Sequence, residues 1–257
     1  MHGQFTLRTS THPHARQKVD GHPLAEYSPD GLLREKQVQQ RVFPMSFSST
    51  RDLALLPNVA WLRDLLRSMA MLDAILCPEW DGRYYSFDAR WAKGEEMGSM
   101  RNGQGDDFFA LFNSYGCFLK GFVHDSPAAT SPIEPVEHYQ GLPPELASCT
   151  SEPAFTPENV TFCIWRSFGD SRWAHNPIAL PSGDDPDGSG YLLSPLDGKP
   201  ETYWQWAEEY YERDVALHAV KAIYERQRLT DELVVTLNQE RRLRDLRDDI
   251  RTIGYPT

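Results

Sequence analysis

Three short stretches of the 257-residue chain hold residue types that can do chemistry. His124-Asp125-Ser126 follows directly on the apolar run 117–123 and contains the three side-chain types of a nucleophilic triad. Adjacent residues of an extended chain point to alternating sides, so these three are not expected to act on one another. A partner from elsewhere is needed. Asp106 or Asp107, at the outer end of the preceding apolar run, stands in the right register to orient His124 as a general base, and Arg101 completes this set. The competing expectation is a partly buried histidine bonded to backbone. His138, His175 and His218 have no H-x-x-x-H or H-E-x-x-H spacing around them.

Gly103-Gln104-Gly105-Asp106 matches the G-x-G-D string of membrane aspartyl proteases, but that chemistry needs a second carboxylate inside a bilayer and no apolar run of spanning length is present. As a phosphate cradle it fails too, because Asp106-Asp107 would repel the anion. A glycine loop entering a hairpin is the expectation. Asp185, Asp187 and Ser189-Gly190 occupy positions one, three, five and six of a calcium loop, with Asp184 adding charge. Position twelve is Leu196 where a bidentate Glu is required, which rejects an EF-hand. An Asp/Gly/Pro surface turn is expected instead, with Asp184, Asp185 and Asp187 the only acids there that could hold an ion.

Trp91, Arg101, Trp165 and Trp173 are candidates for a concave binding surface, since aromatic residues near Arg are common at interfaces; they are equally common in sheets packed under helices. Cys77, Cys117, Cys149 and Cys163 form no C-x-x-C pair and no secretory signal pattern precedes them, so free, mostly buried thiols in a cytoplasmic protein are expected. No metal or other cofactor signature is complete, and none is expected.

Positioning these residues requires elements that the pattern supplies. After Asn58, a good N-cap, Leu62, Leu65, Leu66, Met69, Leu72, Ile75 and Leu76 recur at helical spacing until Cys77-Pro78. A half-buried strand is expected over 83–91 and a loop over 94–107. The apolar runs 108–112 and 117–123 flank Asn113-Ser114-Tyr115-Gly116 and predict a hairpin central to a sheet covered on both faces. Seven prolines between 124 and 159 predict a surface connection with one helical turn near 144–148. Further on, the pattern predicts strands at 160–165 and 191–196 and a helix over 201–227. A Thr230-capped helix through 237 and a last helix ending at Gly254 follow. The expected fold class is α+β: one domain over 45–257, an antiparallel sheet with a central hairpin packed against N-terminal and C-terminal helices.

Residues 1–44 carry a net positive charge and four of the eight His without apolar periodicity, and read as a weakly ordered extension, with an internal start at Met45. His2, His12, His14 and His22 are too irregularly spaced for a defined metal site. The chain as a whole holds 26 Lys+Arg against 37 Asp+Glu, a net charge of −11, and the negative excess lies between 45 and 224. That disfavours nucleic acid and favours either simple solubility or a basic protein partner.

Several segments together carry a resemblance: Ser99-Met100-Arg101-Asn102-Gly103-Gln104-Gly105-Asp106, Phe109-Ala110-Leu111-Phe112, Lys120-Gly121-Phe122-Val123-His124-Asp125-Ser126, Thr161-Phe162-Cys163-Ile164-Trp165 and Ile253-Gly254-Tyr255-Pro256. On these the chain, over about 50–257, resembles a group of uncharacterised bacterial cytosolic proteins and is similar in layout to α+β immunity proteins that neutralise toxins. The resemblance implies a bacterial origin and no defined activity. The leading expectation is a non-catalytic acidic protein that binds another protein, in its sharpest form a toxin-neutralising immunity factor. A small-molecule hydrolase using His124 with Asp106 or Asp107 is the alternative, and a structural subunit of an assembly the third. No nucleic-acid or membrane partner is expected.

Overall fold

The computed structural model describes residues 48–257; the expected extension at 1–44 and the Met45 start lie outside the described residues. Helix α1, Val59–Leu76, begins where the Asn58 side chain accepts the Trp61 amide hydrogen, and it buries Leu62, Leu65, Leu66, Met69, Leu72 and Ile75. Its end is dictated by Pro78, which drives Cys77 into extended backbone (φ −124°, ψ 107°).

Five antiparallel strands follow in simple up-and-down order: β1 Tyr85–Ala92, β2 Glu95–Arg101, β3 Asp107–Phe112, β4 Gly116–Phe122 and β5 Phe162–Ser167. The β3–β4 hairpin pairs Phe112 with Cys117 at the turn and Asp107 with Phe122 at the open end. Asn113 shapes the turn, its side-chain oxygen accepting the amides of Tyr115 and Gly116. The 94–107 segment is thus mostly strand, and the loop shrinks to 102–106. Its Glu- and Gly-containing sequence has little strand preference of its own, and pairing to β1 and β3 on both sides overrides that. Gly98 is where α1 crosses closest: a Cβ there would lie 2.8 Å from a Leu66 methyl.

Both faces of the sheet are covered. On one, Tyr85, Phe87, Met100, Phe108, Phe112, Leu119 and Ile164 pack against α1 and the C-terminal helices. On the other, Met97, Phe109, Leu111, Phe118, Cys163 and Trp165 meet Leu146, Cys149, Phe155 and Val160. The latter group corrects the expected surface connection, because the Pro-rich segment supplies a second core. Its chain advances in short turns, Pro127–Thr130, α2 Pro135–His138, Pro144–Ser151 and Pro153–Phe155, each opened by a proline whose missing amide hydrogen costs nothing at a helix start.

Two further corrections concern the C-terminal half. The expected strand at 191–196 is helix α3, Ser189–Leu193, continued by a 3-10 turn, Ser194–Leu196. Asp185 decides this by accepting the amides of Gly190 and Tyr191 with its two carboxylate oxygens, both at 2.9 Å. The expected single helix over 201–227 is two, α4 Pro200–Tyr210 and α5 Leu217–Tyr224. Glu212 has φ +50°, the Val215 amide donates to Glu208, and the Trp204 indole donates to the Val215 carbonyl, so the chain turns and α5 packs beside α4. Helix α6, Asp231–Leu237, is capped by Thr230, and α7, Arg247–Ile253, stops at Gly254 in the left-handed region (φ +70°). Among the described residues no helix is long and apolar enough to cross a membrane.

Two buried charged groups tie these layers together. The Asp73 carboxylate, on α1, accepts the amides of Tyr84 and Tyr85 (2.8 and 2.7 Å) and the Tyr203 hydroxyl of α4 (2.6 Å). Burial nevertheless pushes its pKa up to about 6. On β4, the wholly buried Lys120 ammonium donates to the Asn159 carbonyl (2.6 Å) and pairs with Asp107 at 3.3 Å.

Candidate functional site

The open end of the β3–β4 hairpin gathers the polar residues that sequence reasoning singled out. Loop 102–106 is closed by Asn102, whose side-chain oxygen accepts the amides of Gln104 and Asp106 while its side-chain amide donates to Asp106 Oδ2 at 2.7 Å. Gly103 and Gly105 make this possible, both lying at positive φ (+73° and +111°). Asp106 Oδ1 in turn lies 2.7 Å from His124 Nδ1 and accepts the His124 backbone amide at 3.0 Å. An ionised carboxylate has only acceptors, so Nδ1 carries the proton and Nε2 is left for other partners.

The two residues hold each other's charge. The bond to Asp106 raises the His124 pKa above the ordinary imidazole value. Burial works against the charge of Asp106, but hydrogen bonds from His124 and Asn102 outweigh it and hold the carboxyl below its usual range. The Asp106 side chain is 9% exposed and the imidazole 48%, so a buried carboxylate orients a ring that faces solvent.

Asp107 does not join this pair. Successive strand residues point to opposite faces, and Asp107 pairs with Lys120 under the Pro-rich segment. Burial raises its pKa, an effect that Lys120 partly offsets. Arg101 also belongs to that face, with its guanidinium 5.8 Å from the Phe109 ring centre. Asp125, by contrast, comes closer to His124 than alternation along an extended chain implies. Strand β4 ends at Phe122, the chain turns at 124–125, and ligand atoms of Asp106, His124 and Asp125 all lie within 4.8 Å of one another. Among the described residues this is the one such group with the spacing to enclose a metal ion. His124 Nδ1 is already hydrogen-bonded to Asp106 Oδ1, so a metal taking those two atoms would have to replace that bond. Ser126 is buried, and its hydroxyl oxygen accepts the Ala129 amide as the cap of the following turn.

Asp106, Asp125 and Asp185 line one open groove together with Ser126 and Tyr191. Of the acidic loop, Asp185 lines this groove, its two carboxylate oxygens accepting the Gly190 and Tyr191 amides, and Asp187 serves the fold. Asp187 is buried and accepts hydrogen bonds from the Thr50 hydroxyl and from Ser189, while the Asp184 carbonyl accepts one from Arg51. Asp184, Asp185 and Asp187 do not converge on a common ion.

The four proposed surface residues are scattered. Trp173 is buried in the main core with its indole donating to the Pro57 carbonyl, and Trp165 is buried in the second core. Trp91 stacks on Phe155, and Arg101 lies over Phe109. Of the two alternatives for these residues, the tryptophans take the packing one, since aromatic residues of a two-faced sheet pack inward. Tyr191, which sequence reasoning missed, lines the groove instead, and its hydroxyl lies 3.2 Å from that of Tyr84 outside it. No local pattern marks the pair, because the two come from α3 and from the residue before β1. All four cysteines are free, and Cys117, Cys149 and Cys163 are buried. Burial raises their thiol pKa values, which makes them poor nucleophiles.

The chain matches no family model, and neither a curated protein nor a solved structure shows significant similarity to it.

Proposed function

We propose that this chain is a non-catalytic binding protein whose partner is a basic protein. The observation that carries the reading is the groove lined by Asp106, Asp125 and Asp185, from three separate segments, beside Tyr191, with Asp125 its exposed carboxylate. A cationic side chain entering there meets converging negative charge, and the net charge of −11 draws a basic partner from a distance. A toxin-neutralising immunity role is the sharpest form of this reading, the partner then being a basic toxin.

Titration calorimetry with octalysine and with octaglutamate tests it. Octalysine is expected to bind, more weakly as salt is raised and chiefly through a slower on-rate, and octaglutamate not to bind. Asp125→Asn is the informative variant, because Asp125 is exposed and its carboxylate accepts no hydrogen bond among the described residues. Octalysine affinity that this substitution leaves unchanged would overturn the reading.

One observation favours a second reading, a hydrolase. The Asp106 bond to Nδ1 fixes the tautomer that leaves His124 Nε2 as a base facing solvent. A panel of p-nitrophenyl esters and phosphates checks this: turnover that His124→Ala abolishes with an unchanged thermal midpoint would establish it.

A further inference from the structure

We infer that the basic partner is gripped by an aromatic strip leading away from the groove, and that the strip takes an extended segment bearing Lys or Arg. This deepens the reading above and rests on it. Tyr191 belongs to both surfaces: it lines the groove, and its hydroxyl meets that of Tyr84. The Tyr84 ring lies 5.4 Å from that of Tyr210, edge to face, and Tyr210 stacks on Trp206 at 4.9 Å. The Tyr210 hydroxyl then donates to the carbonyl of Gly82, in the turn Trp80–Gly82 that carries Trp80. Tyr191, Tyr210 and Trp80 are 47%, 41% and 56% exposed.

These rings come from α3, the residue before β1, α4 and the Trp80–Gly82 turn, so tertiary structure, not one helix face, brings them together. They are also held in place: the Tyr84 amide is bonded to buried Asp73. Rigid Tyr and Trp side chains give contact area at low entropic cost. Charge complementarity selects the occupant. The strip ends in three carboxylates, and Arg83, the cation beside Trp80, is already paired with Asp249 at 2.5 Å. A second copy of a chain with net charge −11 would bring like charges together there. A sugar chain needs a row of open ring faces, whereas here Tyr84 meets Tyr210 at 68° and Tyr210 covers a face of Trp206.

The test is octalysine binding by the full chain, read by calorimetry and tryptophan fluorescence. Trp80→Ser and Tyr210→Ala are each expected to weaken binding roughly tenfold, the effect of truncating an interface aromatic anchor. Tyr210→Phe, which keeps the ring, should bind as wild type. Trp61→Ser, exposed on α1 and outside the strip, should do the same. If Trp80→Ser and Tyr210→Ala bind octalysine normally while Asp125→Asn weakens it, the strip is overturned and the acidic groove stands. If the wild type does not bind octalysine, both fall. Chitohexaose binding or self-association in sedimentation that is lost in the same two variants would overturn the proposal in favour of a glycan or a second copy.

Discussion

Asp106 holds His124 twice through one oxygen, accepting both the ring Nδ1–H at 2.7 Å and the backbone amide at 3.0 Å. The double contact pins the turn after β4 to the loop before β3 and sets the charge of both groups. His124 has a raised folded pKa, so its contribution to stability is complete below the ordinary value of 6.5 and is lost as pH rises through the folded value. Asp106 has a lowered one, so its contribution is complete above 3.8 and is lost as pH falls through the folded value. In Asp106→Asn, an NMR titration should show the His124 pKa falling back toward 6.5, and the melting difference from wild type should be largest between those two pH values. An unmoved His124 titration would remove the pair from any role.

Asp73 should make acid pH stabilising over a narrow window. With a folded pKa of about 6 against an ordinary 3.8, the native state binds more protons than the unfolded state between those values, so stability falls as pH rises through them. The span corresponds to about 3 kcal/mol. Urea midpoints from pH 4 to pH 7 should show this slope, and Asp73→Asn should flatten it. Asp73→Ala, which strands two buried amides and the Tyr203 hydroxyl, should cost about 3–5 kcal/mol.

Lys120 and Asp107 should behave as a unit. Lys120→Met leaves Asp107 without its cation and the Asn159 carbonyl without its donor, a loss of about 3–5 kcal/mol. Adding Asp107→Leu should recover a good part of that loss. Denaturation of both single variants and the double variant closes the cycle, and strict additivity would show that the two side chains do not interact.

Gly188 should resist any side chain. It lies at φ +70°, and a Cβ there would stand 2.3 Å from a Val123 methyl. Gly188→Ala should therefore cost more than the 1–2 kcal/mol or so of left-handed strain alone. It should also weaken octalysine binding, because Gly188 borders the groove between Asp185 and Tyr191. Wild-type thermal stability in this variant would contradict the close packing.

Elements specified by near neighbours were legible in the chain. Asn58 and Thr230 cap the helices whose apolar spacing they precede, Gly254 ends the last one, and Asn113 to Gly116 turn the hairpin. The all-apolar hairpin runs implied a sheet covered on both faces, and the two cores show that cover. Where local signals are weak or mixed, reading fails. Strand β2 looked like a loop because its Glu- and Gly-containing sequence has little strand preference of its own, and α3 looked like a strand because a short apolar run has no decisive period.

The sequence by itself determined the α+β class, the hairpin and the nearness of His124 to the Asp106-Asp107 pair, since these follow from periodicity, capping and turn chemistry within a few residues. Only the tertiary structure decided which aspartate His124 takes, that Asp125 turns back toward it, and that Lys120 is buried. It alone brought Tyr191, Tyr84 and Tyr210 into contact from three separate elements. Pleat alternation, the end of a strand and the packing of distant elements make those choices, and none of them is encoded in the spacing of neighbouring residues.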